Sequence, residues 1–205
     1  MTTKNLLVLG ATGATGQLVL SQALAAGHRV TALVRSPEKI TTSHPNLTVL
    51  TGQPTDTGDL KRGLDGADAV ISTLGAMKGT LMTDTTRALV DATDDGDTRP
   101  IVVMSTFAAA RDRLTGSAKA LTGVLMSTPI KDRTAAEELL RRSGRRYAIA
   151  HATRLTNGPA AGVREVPGDM RVSMSDTVSR ADVAAWLLRA ATEDGFTSRD
   201  VVLKG

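Results

Sequence analysis

The chain has 205 residues, 41% of them hydrophobic and 22% charged, with a net charge of +4. That length supports one domain with its own core, and a small, dispersed basic excess with few aromatics excludes a nucleic-acid surface. Cysteine is absent, which excludes disulfides, thiolate catalysis and Cys-ligated metals, and no apolar run approaches the roughly 20 residues of a membrane span.

The first residues, from Met1 to Leu6, lack the apolar stretch of a signal peptide, so the cytoplasm is the expected compartment. Asn5–Leu9 then reads as a buried strand. Residues 15–26 read as a helix with Val19, Ala23 and Ala26 on one face and Leu20 and Leu24 beside it. Gly27 ends it where a left-handed residue is wanted. Strands are expected at Arg29–Val34 and 47–50, a short helix at about 59–64, and a fourth strand at 68–73. A helix over 83–92 and a fifth strand over 101–104 follow. Residues 107–128, rich in small side chains, read as looser.

Thr128-Pro129 opens the next helix, with proline suited to its first turn. Ala135, Ala136, Leu139 and Leu140 are its buried pairs, and Ser143-Gly144 stops it. The cluster Arg141, Arg142, Arg145 and Arg146 reads as the solvated helix end, where cations suit the macrodipole. A sixth strand is expected at 147–150 and a loop over 154–178, broken by Gly158-Pro159 and Pro167-Gly168. Ser179-Arg-Ala-Asp182 is a capping start to the final helix, which carries Trp186, Leu187 and Leu188, and Val201 to Leu203 is a last strand. Phe107, Tyr147, Trp186 and Phe196 are the only aromatics, so the core must be aliphatic.

Strand and helix alternating at this spacing imply parallel pairing with right-handed crossovers. The expected class is a single-domain, doubly wound α/β fold over residues 1–205, with a mostly parallel sheet of six or seven strands. In such sheets ligands sit beyond the carboxyl ends of the strands, where the strand order reverses. The residues just after each strand are therefore the ones to read for function.

After the first strand comes Gly10-Ala-Thr-Gly13-Ala-Thr-Gly16. Gly10 allows a sharp turn, Gly13 lets backbone approach a pyrophosphate, and Gly16 lets the helix pack close to the sheet. The free N–H groups at the start of the helix, with Ala14 just before it, and its positive dipole end face the phosphates. Thr12 and Thr15 add hydroxyl donors or cap the helix. The alternative is a glycine-rich turn used only for packing.

The end of the second strand chooses the dinucleotide. A carboxylate there would bond the ribose 2′-hydroxyl of NAD, but no Asp or Glu occurs from residue 17 to 37. Arg35 can instead grip a 2′-phosphate bidentately, with Ser36 as a further donor, which points to NADP(H). The competing reading of Arg35 is an arginine stacked on adenine without selecting a phosphate. Gln53 and Asp56 are expected at the adenine edge, and Thr73, Leu74 and Gly75 near the ribose and nicotinamide. Thr73 is equally placed to cap the next segment.

At these residues the chain resembles an atypical short-chain dehydrogenase/reductase, closest to the NmrA-like group with NAD(P)H-binding and flavin reductase/biliverdin-IX-beta reductase members. The resemblance rests on Gly10 to Gly16, Val34-Arg35, Ile71-Ser-Thr-Leu-Gly75, Val103-Met-Ser-Thr106, residues 131–140, Arg154-Leu-Thr-Asn-Gly-Pro159 and Ser179-Arg-Ala-Asp182. It implies a Rossmann fold and a small-molecule substrate pocket made by the loops at about 105–128 and 151–178. It also implies that Ser105, Thr106 and Arg133 lie at the cofactor. Related members usually carry Arg-Pro after the sixth strand, where this chain has His151-Ala152.

Carbonyl-reducing members use Tyr-x-x-x-Lys with a nearby Ser. Here Pro129 and Arg133 hold the Tyr and Lys positions, while Ser105 remains. An arginine does not act as an acid near neutral pH, since its pKa exceeds about 12. A flavin or quinone does not need that machinery, because its reduced anion takes a proton from water. Ser105 and His151 are the candidate catalytic groups: Ser105 bonding the acceptor or carboxamide, His151 donating a proton. Each also has a plain reading, as a turn cap and as a structural strand-end side chain. Met126, Met170 and Met174 are either an adaptable pocket wall or core.

His28, His44 and His151 share no ligand spacing, so no metal is expected. Three functions stay open: an NADPH-dependent oxidoreductase acting on a small planar acceptor, an NADP(H)-binding redox sensor without turnover, and an isomerase, epimerase or cyclase using His151 and Asp132. No nucleic-acid or membrane partner is expected, and the state is monomer or homodimer.

Overall fold

The computed structural model describes residues 2–109, 127–167, 171–173, 175–194 and 197–205. The strands are β1 (Asn5–Leu9), β2 (Arg29–Val34), β3 (Leu47–Thr51), β4 (Ala69–Ser72), β5 (Ile101–Thr106), β6 (Tyr147–Ala152), β7 (Arg154–Thr156), β8 (Arg164–Val166), β9 (Thr177–Ser179) and β10 (Arg199–Lys204). The helices are α1 (Ala14–Ala25), α2 (Thr57–Leu64), α3 (Leu81–Ala92), α4 (Ser127–Arg142) and α5 (Arg180–Thr192).

Among the described residues eight strands form the main sheet in the order β3-β2-β1-β4-β5-β6-β10-β8. All neighbours pair in parallel except β10 and β8. The order reverses between β1 and β4, so the carboxyl ends of these two strands flank the crevice a ligand would use.

The alternation along β1 sets the layers. Leu6 and Val8 join the core under α1 and α5, with Val19, Leu20, Trp186 and Leu187. Leu7 and Leu9 face the other way, onto Leu60, Leu89, Leu140 and Ile149. Helices cover both faces, which is why the inner strands read as continuous apolar runs rather than alternating ones. Trp186 is fully buried and spends its one polar atom on Glu165, with Nε1 donating to Oε1 at 2.7 Å.

The helix stops fall where expected: Gly27 and Gly144 adopt φ of +81° and +73°. Pro129 lies within the first turn of α4. The sheet departs from expectation in two places. It has eight strands rather than six or seven. The segment 154–178, read as loop, carries β7, β8 and the start of β9. Each of these strands has three residues, too short to show a hydrophobic period. They exist through remote partners: β7 on β9, and β8 on β10. Met126, Met170 and Met174 lie outside the described residues, as does most of the looser segment after β5. Among the described residues no helix is long and apolar enough to cross a membrane.

Candidate functional site

The glycine loop is a cradle that side chains would fill. Gly10 has φ of +82°, and a Cβ there would lie 2.9 Å from Thr73 Oγ1. A Cβ on Gly16 would lie 2.1 Å from the Gly10 carbonyl oxygen, so α1 can start this close to the loop only with glycine. The Gly13 N–H donates to the same oxygen at 3.0 Å. Thr73 ties β4 to the loop: its hydroxyl lies 3.2 Å from both the Leu9 and Gly10 carbonyl oxygens. It therefore holds the turn rather than capping the segment that follows.

Gly13 is the N-cap of α1, which has no side-chain cap and no acidic residue in its first turn. The expected capping by Thr12 or Thr15 does not occur: Thr15 is the second residue of the helix and buried, and Thr12 uses its carbonyl to accept from Gln17 Nε2 at 3.2 Å. The first N–H groups of α1, beginning at the exposed Ala14, thus keep the uncompensated positive end of the helix.

Arg35 is exposed at the end of β2, and Ser36 starts the following turn. Asp56 serves the fold directly, because its Oδ1 accepts the Asp59 N–H at 2.8 Å and caps α2. The Gln53 N–H donates to Asp59 Oδ2 at 2.7 Å, and its side chain is exposed. That N–H, followed by Arg62, holds the Asp59 carboxyl below the usual carboxylate range.

Beyond β5 and β6 lies a cleft of about 390 Å³, within the roughly 300–1,000 Å³ of ligand sites. Ala76, Phe107, Ile130 and Leu155 give it apolar walls; Ser105, Thr106, Arg133, Arg154 and Arg180 also line it. Ser105 and His151 are register partners across β5 and β6, and only 5% and 4% exposed.

Glu137, on α4, joins them. Ser105 Oγ donates to Glu137 Oε1 at 2.5 Å. His151 Nδ1 lies 3.8 Å from that oxygen and 3.4 Å from the Thr106 carbonyl oxygen. Arg141 donates to Glu137 Oε2 at 3.2 Å and is anchored by Asp200 at 2.7 Å. Ser105 reaches the cleft, whereas His151 is not among its lining residues.

Sequence reasoning missed Glu137. A signal was present: Arg133, Glu137 and Arg141 stand one turn apart on α4 and share a face.

Arg133 bridges the two halves of the site. A Cβ on Gly75, which is exposed beside the half-buried Leu74, would lie 3.0 Å from its Nη2. Its Nη1 reaches the Met104 carbonyl at 3.5 Å. Burial pushes the Arg133 pKa down, opposed by the charges of Glu137 and Asp132; at neutral pH it remains a cation. Asp132 is not free for acid–base work. Its carboxylate accepts from the Met82 N–H at 2.9 Å, the Thr83 N–H at 3.0 Å and the Thr83 hydroxyl at 2.7 Å, capping α3.

A glycine turn at the strand-order reversal, an uncapped helix N-terminus, and a cleft beside them define a Rossmann protein built for a dinucleotide. The chain belongs to the NAD(P)H-binding family, whose profile matches residues 10–194. Among solved structures it is similar to ChuY, an anaerobilin reductase from Escherichia coli O157:H7, at 25% identity and a TM-score of 0.80, over 97% of this chain and 96% of that one. It is also similar to a short-chain dehydrogenase/reductase from Veillonella parvula in complex with NADP, at 22% identity and a TM-score of 0.80, over 100% of this chain and 95% of that one.

Proposed function

We propose that the protein is an NADPH-dependent oxidoreductase that passes hydride to a small planar acceptor, a flavin or quinone type, without a Tyr-x-x-x-Lys site. What carries this reading is an unbroken path of contacts: Gly10 against Thr73, Gly75 against Arg133, and Arg133 on the cleft wall. Phosphate loop and acceptor cleft are one site.

The residues present fit the cofactor. Gly10, Thr12, Gly13, Ala14, Thr15 and Gly16 would hold the pyrophosphate against the N-terminus of α1. Arg35 and Ser36 would hold a 2′-phosphate, with Gln53 and Asp56 at the adenine edge. Thr73, Leu74, Gly75, Ser105, Thr106 and Arg133 would flank the ribose and nicotinamide. When bound, the dinucleotide supplies a hydride, two electrons with a proton, and is left as NADP⁺.

The chain's own work is positional. Apolar walls exclude water, and Arg133 supplies positive charge beside the acceptor. Ser105 presents its oxygen to the cleft, with its proton held by Glu137. The reduced acceptor takes its remaining proton from solvent. Asp132 is spent on α3 and His151 is buried and does not line the cleft, which weighs against an isomerase.

The test is NADPH oxidation by the purified protein with FMN and a simple quinone as acceptors. Rapid loss of NADPH supports the reading. Tight NADPH binding without loss moves the assignment to a redox sensor. Arg35→Asp should then lower the preference for NADPH over NADH by roughly 10–100-fold, the value of a lost charge-assisted phosphate contact. An unchanged ratio of kcat/KM values removes Arg35 from the phosphate site.

A further inference from the structure

The cleft is apolar in its walls but one-signed in its charges. Arg133, Arg154 and Arg180 line it, and no carboxylate does among the described residues. Arg133 is accounted for on the cofactor side, against Gly75. Arg154 and Arg180 come from elsewhere: the first residue of β7 and the residue directly after β9, strands that pair with each other.

Among the described residues neither guanidinium has a carboxylate partner. Arg62, Arg99, Arg141, Arg145 and Arg199 each meet a carboxylate within 4.0 Å. Arg154 and Arg180 meet none among the described residues. Arg180 donates to Asn157 Oδ1 at 2.6 Å, an uncharged acceptor that aims the side chain without cancelling its charge. Arg180 also opens α5, where a cation opposes the helix dipole. The nearest acid in that turn, Asp182, is spent on the Ser179 hydroxyl and the N–H groups of Ala161 and Gly162. Helix stability therefore gives no reason for an arginine here.

We propose that the acceptor carries an anionic group, a carboxylate or a phosphate, gripped by Arg154 and Arg180 while its ring lies against Phe107, Ile130 and Leu155. Guanidinium forks match both oxyanions bidentately. The proposal rests on the reductase reading for the word acceptor, but the binding site stands on the arginines alone.

Riboflavin and FMN test it, since they share a ring and differ by one phosphate. Each is titrated by flavin fluorescence into the NADP⁺-saturated protein, and each is offered as acceptor for NADPH oxidation. FMN should bind about tenfold or more tightly than riboflavin, the worth of one charge-assisted contact. The Arg154→Gln/Arg180→Gln double variant should remove that difference, with Tm and NADP⁺ affinity as controls. Higher salt should weaken FMN binding to the unaltered protein more than riboflavin binding.

A naphthoquinone and its carboxylated derivative, compared in the same way, tell carboxylate from phosphate. Equal binding within both pairs, or a difference that survives the double variant, overturns the proposal. Selective binding without NADPH loss overturns only the reductase reading. NADPH loss with equal affinities overturns only the anion site.

Discussion

Glu137 has two carboxylate oxygens and three polar neighbours. One oxygen takes the Ser105 proton and faces His151; the other takes Arg141. A buried carboxylate so occupied fixes the Ser105 rotamer, and the cleft inherits a hydroxyl oxygen at a set position. The two candidate catalytic residues should therefore separate on mutation. Ser105→Ala should lower kcat for NADPH oxidation by about tenfold, one hydrogen bond's worth. His151→Ala should cost about 1–3 kcal/mol of stability in urea unfolding, with a smaller effect on kcat. Wild-type rates in both variants remove both residues from the chemistry. Gly10 and Gly16 were legible because each answers a backbone constraint visible in the spacing. Glu137 was not, because its partners are brought to it by two strands and a helix that meet only on folding.

At the scale of elements, two helices are held by acids placed in different ways. Ser179 and Asp182 sit at the start of α5 itself, and the Asp182 N–H donates to Ser179 Oγ at 3.0 Å. That cap was readable from sequence because its two residues lie three apart. The cap on α3 comes from Asp132, on α4, fifty residues onward, and no local pattern announces it. Asp132→Ala should free two N–H groups and the Thr83 hydroxyl, costing about 1–2 kcal/mol. Its chemical-denaturation midpoint should fall accordingly, while the NADP⁺ affinity stays. A loss below a few tenths of a kcal/mol would mean water replaces the cap. The same distance problem hid β7, β8 and β9: a three-residue strand carries no period, only a partner.

For the whole molecule, pH dependence adds a term at the amino ends of β1 and β2. His28 is 3% exposed, and its Nδ1 accepts the Lys4 N–H at 3.2 Å. Burial, followed by the charge of Lys4, lowers its pKa from the ordinary 6.5. The unfolded chain therefore binds a proton at His28 more readily than the folded one. This stability is fully present above about pH 6.5 and is lost as pH falls toward the folded value. The stability advantage of the wild type over His28→Gln should shrink between pH 7 and pH 5 in parallel urea titrations. A constant gap would show that His28 does not titrate differently on unfolding. The doubly wound class itself was legible because alternation of strand and helix is a property of the whole chain, insensitive to any single boundary.

Among the described residues the main sheet holds one antiparallel pairing, β10 with β8. Every other neighbour is reached by a crossover: Asn5 meets Arg29 and Leu6 meets Ala69. None of its parallel pairs can begin as a hairpin, the microsecond seed available to meandering sheets. Loops must close before any strand pairing repays them, so refolding belongs to the slower millisecond-to-second regime. In that interval β1, apolar on both sides, is unprotected. An inner strand of the finished sheet is thus a segment that gains from a chaperone while the chain is still young.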